Sequence, residues 1–186
     1  MIGFRRAVRL GVGAVLFGAA TLSGAAAQIA GDPQRVVSIG GAVTEIAYAL
    51  GQQDRLVAVD ATSFYPPAAT AKPNVGYMRA LSAEGILAMR PDLSLAVEGS
   101  GPPGVIDILR SVSVPLVVVP DDRTPEGLDV KIETVAAALG QAEAGRALAR
   151  QVHSELDAVL ARTGAILARK RVLFVMSLTD GRPLGA

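Results

Sequence analysis

The chain has 186 residues, with 18 basic and 17 acidic side chains, one histidine, no cysteine and only 4% aromatic residues. The absence of cysteine excludes disulfides, thiolate metal sites, a cysteine nucleophile and any lipid-modified cysteine. The near-balanced charge argues against nucleic acid, whose binding needs clustered positive charge.

Residues 1–27 open with Arg5, Arg6 and Arg9, continue as an apolar run from about Leu10 to Leu22, and end in Ala25-Ala26-Ala27. That order of basic, apolar and small residues predicts a cleaved secretory signal peptide rather than a membrane anchor, because the apolar run is short and rich in glycine. The Arg5-Arg6 pair leaves both the twin-arginine and the general secretory route open. Removal of three basic residues and no acidic one leaves 15 against 17, a net charge near −2, on the 159 residues from Gln28. These suffice for one domain with a real core, which after cleavage does not span a membrane, and a bacterial periplasm is the expected compartment.

The run 35–40, RVVSIG, is a β-branched strand ending at Gly40-Gly41, and AVTEIAYALG (42–51) follows as a helix stopped by glycine. LVAVD (56–60) is a second buried-type strand. Pro66, Pro67 and Pro73 then predict a long irregular loop. After Tyr77, SAEGILAMR reads as a helix with Ser82 as N-cap and Pro91 as its stop, and LSLAVE (93–98) is the next strand. A GSGPPG loop, the short helix VIDILRSV and the apolar strand PLVVVP (115–120) follow. Strand and helix thus alternate four times, which predicts an α/β lobe, Rossmann-like, with a mostly parallel sheet covered on both faces.

The pattern turns helical at Thr124-Pro125-Glu126, where Leu128, Ile132, Val135 and Leu139 form one apolar stripe before Gly140. A second segment, 142–164, carries Leu148, Val152, Leu156 and Leu160 at steps of four. Its length suits either an ordinary covering helix or a rigid strut. KRVLFVMSLTDGRPLGA opens one fresh strand over 172–177. The expected organisation is therefore a signal peptide (1–27), an N-terminal α/β lobe (28–123), an interlobe helical segment (124–168) and the first strand of an incomplete C-terminal lobe (169–186). A lone strand would leave an unpaired edge, so residues 28–186 alone are expected to aggregate or to be poorly ordered near the C-terminus.

One histidine and no cysteine leave no cluster for zinc and no base beside a serine nucleophile, and His153 is expected to face solvent. The turn at SIGGAVTEIA lacks the full G-x-G-x-x-G spacing of a dinucleotide site. Gly40 and Gly41 can still border a ligand cleft at the open end of the sheet, with backbone N–H groups free of Cβ interference. An exported enzyme on such a scaffold is the less favoured reading, since no catalytic grouping is visible.

Tyr77 and Arg79 stand out in a chain so poor in aromatics. A cation near a phenol favours its anionic form, an oxygen ligand suited to a hard ferric ion, and tyrosinate is one of the axial ligands of haem iron. The alternative is a packed loop aromatic with Arg79 in water.

Taken together, RVVSIGGAVTEIAYALG, VGYMRALSAEGILAMRPDL and VLFVMS resemble the periplasmic haem-binding proteins that serve bacterial haem ABC importers, within the group that includes the vitamin B12 and ferric siderophore binders. The G-Y-M-R-x-L-x-A-E-G-I-L run carries the likeness to the haem branch, whereas T-E-I-A-Y-A-L-G and R-P-D-L belong to the wider group. The resemblance implies two α/β lobes joined by a long helix, a ligand held between them, and a monomer that is not an enzyme. It implies ferric haem as the transported ligand, Tyr77 as axial ligand to its iron and Arg79 stabilising the phenolate. It also implies Glu84 as a carboxylate that docks on the importer permease, although by itself Glu84 reads equally as a solvated helix-start acid. Some members of the family supply a second axial histidine just after the last strand, where this chain has Leu178. A ferric siderophore or cobalamin carrier of the same group is the alternative.

Overall fold

The computed structural model describes residues 32–164, 166, 170–179 and 182–185, so the expected signal peptide lies outside the described residues. Four strands form one sheet: β1 (Val36–Ile39), β2 (Leu56–Val59), β3 (Leu93–Val97) and β4 (Leu116–Val119). Their order is β2-β1-β3-β4, and every pairing is parallel. The parallel α/β lobe expected from the sequence is thus present. Its chain reverses direction across the sheet between β1 and β3, and in such sheets ligands bind beyond the carboxyl ends of the strands at that point.

Strand residues alternate between two cores. Val36, Leu93, Leu95 and Val97 pack on one side with Val43, Ile46 and Ala47 of α1 (Gly41–Ala49) and with Ile132 and Val135 of α4 (Pro125–Ala138). Val37, Ile39 and Ala96 face the other side, against Ile86 of α2 (Ala83–Ala88) and Leu109 of α3 (Pro103–Ser111). Burial on both faces explains why β1 and β3 read as apolar runs broken only by Ser38 and Ser94. Each such side chain contributes about 1.5–3 kcal/mol of transfer free energy.

The strand starts are tied together by the RPDL run. Asp92 accepts hydrogen bonds from the backbone N–H of Gln34 (2.8 Å) and Arg35 (2.9 Å), fixing the register of β3 against β1. The Arg35 side chain in turn donates to the carbonyls of Met89 and Arg90, which lie just past the end of α2, where a cation is favoured by the helix dipole.

PLVVVP forms the expected strand as β4, at an edge of the sheet and only partly buried because β3 alone pairs with it among the described residues. Two expectations change. The segment after β2 is not wholly irregular: Pro67–Ala71 forms a 3₁₀ turn, and Asn74 bridges to Val59. Proline at the first position of that turn costs no hydrogen bond, so it starts the turn rather than preventing it. Finally, the last strand is not alone. β5 (Val175–Thr179) pairs antiparallel with β6 (Arg182–Gly185) in a separate two-stranded sheet.

Between these parts, α4 and α5 (Ala142–Gly164) pack together. The leucine stripe expected of α5 is not its centre: Gly145 and Ala149 are buried instead, and a Cβ on Gly145 would collide with the Ala136 side chain. The two helices approach so closely that only small residues fit at the crossing, while Leu148 and Val152 flank it. Beyond Asp157, α5 is exposed. Among the described residues, no helix is long and apolar enough to cross a membrane.

Candidate functional site

At the carboxyl ends of the strands, the loops after β1, β2 and β3 meet. Asp60 directly follows β2 and is 1% exposed. Its Oδ1 accepts from the Gly40 N–H (2.9 Å) and the Ser63 hydroxyl (2.8 Å), and its Oδ2 from the Thr62 N–H (3.0 Å) and hydroxyl (2.7 Å). Ser63 continues to Thr44 (2.8 Å), and Thr44 to Ser38 (2.8 Å), so a chain of buried hydroxyls runs from Asp60 back into β1. A buried carboxylate is tolerated only when its lone pairs are filled, and here four donors fill them.

This network alters the role expected of Gly40 and Gly41. Their N–H groups are not turned toward a ligand, because Gly40 donates to Asp60 and Gly41 donates to Thr62 Oγ1 (3.2 Å). Both positions need glycine for packing. A Cβ on Gly40, at φ +108°, would lie 2.7 Å from Val97 Cγ1, and one on Gly41 would lie 2.8 Å from the Thr62 carbonyl oxygen.

The Tyr77 loop is fixed on both sides. Val75 donates to the Val59 carbonyl (3.0 Å) and Ala61 to the Gly76 carbonyl (2.8 Å), which holds residues 74–76 alongside the end of β2. On the other side, Gly101 donates to the Met78 carbonyl (2.9 Å) and Leu81 to the Gly101 carbonyl (3.0 Å), which ties the loop to the segment after β3. Gly76 makes the corner at φ +96°, and the Ala80 N–H closes a turn onto the Tyr77 carbonyl (2.7 Å). The backbone is held while the side chains are not. Tyr77 is 49% exposed, Arg79 lies on the same turn in solvent, and no hydrogen bond or ion pair joins either side chain to a described residue.

Glu84 lies in the first turn of α2, which starts where the Tyr77 loop ends. Ser82 caps that helix, its hydroxyl accepting from the Gly85 N–H (3.3 Å), and Glu84 is exposed without an ion-pair partner among the described residues.

Two further aromatics were missed. Phe64 and Tyr65 are 72% and 64% exposed on the loop that leaves β2. The scarcity of aromatics that drew attention to Tyr77 applies equally to them. Asp60 was also legible, as an acid closing an apolar strand and followed by Thr62 and Ser63.

Away from these loops, His153 does not simply face solvent. Its Nδ1 lies 2.6 Å from Asp129 Oδ2, linking α5 to α4, and its side chain is 34% exposed. The hydrogen bond to Asp129, and then that carboxylate's charge, hold the imidazole above its ordinary pKa, with Asp157 and Glu126 adding to the effect. No group of three His, Asp or Glu side chains is arranged to hold a metal among the described residues.

Loops fixed beyond the carboxyl ends of a parallel sheet, with side chains unpaired among the described residues, are the features of an α/β lobe of the kind that takes ligands at that edge. The chain belongs to the periplasmic binding protein family, whose model matches residues 36–185. Among solved structures it is similar to the periplasmic haem-binding protein BhuT in complex with two haems (40% identity, TM-score 0.78, covering 84% of this chain and 61% of that one). It is also similar to the periplasmic haem-binding protein RhuT from Roseiflexus sp. RS-1 in apo form (38%, TM-score 0.77, 82% and 59%). A vitamin B12-binding protein of Pectobacterium carotovorum subsp. carotovorum (strain PC1) is 36% identical over 104 residues, which are 56% of this chain and 37% of that protein. The chain thus matches less than two thirds of the length of each of these relatives. The family is one of binding proteins, in agreement with the expectation of a non-enzyme.

Proposed function

We propose that the chain belongs to a periplasmic carrier that captures ferric haem and delivers it to an ABC-type importer. The observation that carries this reading is Tyr77, a solvent-facing phenol with no hydrogen-bond partner among the described residues, on a backbone pinned to the segments that follow β2 and β3. A phenol so placed can give its oxygen to an incoming ferric ion without first breaking an internal hydrogen bond. In this reading Arg79, on the same turn, hydrogen-bonds to or charge-pairs with the tyrosine oxygen once iron holds it. The likeness to haem-binding proteins at 38–40% identity supports the choice of ligand.

In this reading the carrier acts as a monomer, and a signal peptide over residues 1–27 takes it to the periplasm. Residues 28–123 form one wall of the cleft, 124–168 the connection, and 169–186 the start of the opposite wall. Gly40 and Gly41 line the floor through their packing rather than as donors, and Glu84 pairs with a basic residue of the permease. With Leu178 where some relatives have histidine, Tyr77 is the single protein ligand from this chain.

A ferric haem titration followed by visible absorption, in the full chain and its Tyr77→Phe variant, tests the reading. One-to-one binding with a high-spin tyrosinate spectrum, abolished by the substitution, is the expected result. Haem binding that ignores the phenol, or none at all, would defeat it. The vitamin B12-binding relatives favour cobalamin as the second reading, in which Tyr77 packs on the corrin and Arg79 meets its polar side groups.

A further inference from the structure

Phe64 and Tyr65 are large, exposed and adjacent, an arrangement that disfavours a soluble surface unless something covers it. The backbone that carries them is tethered on both sides. On one side Ser63 is 3% exposed and bound to both Asp60 and Thr44. On the other, Ala69 is fully buried and donates from its N–H to the Pro66 carbonyl (2.8 Å), anchoring the 3₁₀ turn that follows.

The pair and Tyr77 leave the sheet at one junction. Ala61 and Gly76 are joined by a 2.8 Å backbone hydrogen bond, Tyr77 is the next residue after Gly76, and Phe64 is three after Ala61. Three residues reach at most about 11 Å, so the backbone carrying Phe64 leaves the sheet within about that distance of the junction from which Tyr77 also leaves. Aromatic side chains have few rotatable bonds and so lose little entropy on contact, and their π faces suit a flat conjugated partner.

Resting on the carrier reading above, we infer that Phe64 and Tyr65 form an aromatic wall that packs on the flat face of the tetrapyrrole, making them specificity-determining residues beside the metal-binding phenol. Tyr77 then selects the metal, while Phe64 and Tyr65 select the macrocycle.

The two roles separate with metal-free protoporphyrin, which offers the ring without iron. In the full chain, Phe64→Ser/Tyr65→Ser is expected to weaken protoporphyrin and ferric haem binding by about tenfold or more while keeping the tyrosinate spectrum of the haem that does bind. Phe64→Leu/Tyr65→Leu, which keeps apolar bulk without rings, should recover only part of the loss. Tyr77→Phe should lower haem affinity and leave protoporphyrin binding intact. Wild-type affinity for both porphyrins in the double serine variant would overturn the wall even if haem transport is correct. If the wild type instead takes cobalamin and rejects haem, the haem reading fails, but a tenfold loss of cobalamin affinity in the same variant upholds the wall. A wild type that binds none of the three overturns both.

Discussion

The loops at the carboxyl end of the sheet have two layers that differ in one respect. In the lower layer, Asp60, Ser63, Thr44 and Ser38 are buried, and each is hydrogen-bonded to another member or to a backbone amide of the turn. In the upper layer, Tyr77, Arg79, Phe64 and Tyr65 project from the same loops into solvent, with no side-chain hydrogen bond to a described residue. Saturation below holds the backbone rigid, and the unpaired groups above stay available to a ligand. Substitutions in the lower layer should therefore cost stability, and those in the upper layer affinity.

The sharpest break of that division is Asp60→Ala, which strands four donors and is expected to destabilise the full chain by about 3 kcal/mol in urea unfolding. Tyr77→Phe should do the reverse, lowering haem affinity about a hundredfold, roughly 2.7 kcal/mol, with an unchanged melting temperature. Gly41→Ala pushes a methyl group against the Thr62 carbonyl and should cost about 2 kcal/mol, with a smaller fall in affinity because Thr62 precedes the aromatic pair. Ser82→Ala removes the cap of α2 and should cost about 0.5–1 kcal/mol, the bond to Gly85 being long. The smallest effect belongs to His153, outside both layers. Because its pKa is raised in the folded chain, its contribution is complete below about pH 6.5 and is lost as pH rises through the folded value. The melting-temperature difference between wild type and His153→Gln should therefore be largest in mild acid and vanish in alkali. A difference that grows with pH would reverse the assignment.

The parallel lobe was readable because β1 and β3 are buried on both faces and leave apolar runs broken only by Ser38 and Ser94, and because Ser82, Pro91 and Gly140 mark helix ends in plain sequence. β4 was readable as a strand in the same way, whereas its partial exposure was not, because an edge strand can be as apolar as a central one and exposure depends on place in the sheet order. The stripe of α5 misled because leucines dominate a pattern, whereas a close helix crossing is governed by what is small, here Gly145 and Ala149. Tyr77 could be singled out by its rarity. That the Gly40 and Gly41 amides are already engaged could not, since their partners Asp60 and Thr62 lie about twenty residues away.

The contact between α4 and α5 has a mechanical consequence. A helix of 23 residues is about 34 Å long. It is gripped where Gly145 and Ala149 press on α4 and fastened once more where His153 meets Asp129, and past Asp157 its side chains are exposed among the described residues. Mechanically it is a lever. A load on its distal half is carried as bending moment into α4 and the sheet, with the Gly145 crossing as the clamp and the His153 pair as a second hold further out. Loosening the His153 pair shifts that moment inward onto the Gly145 crossing.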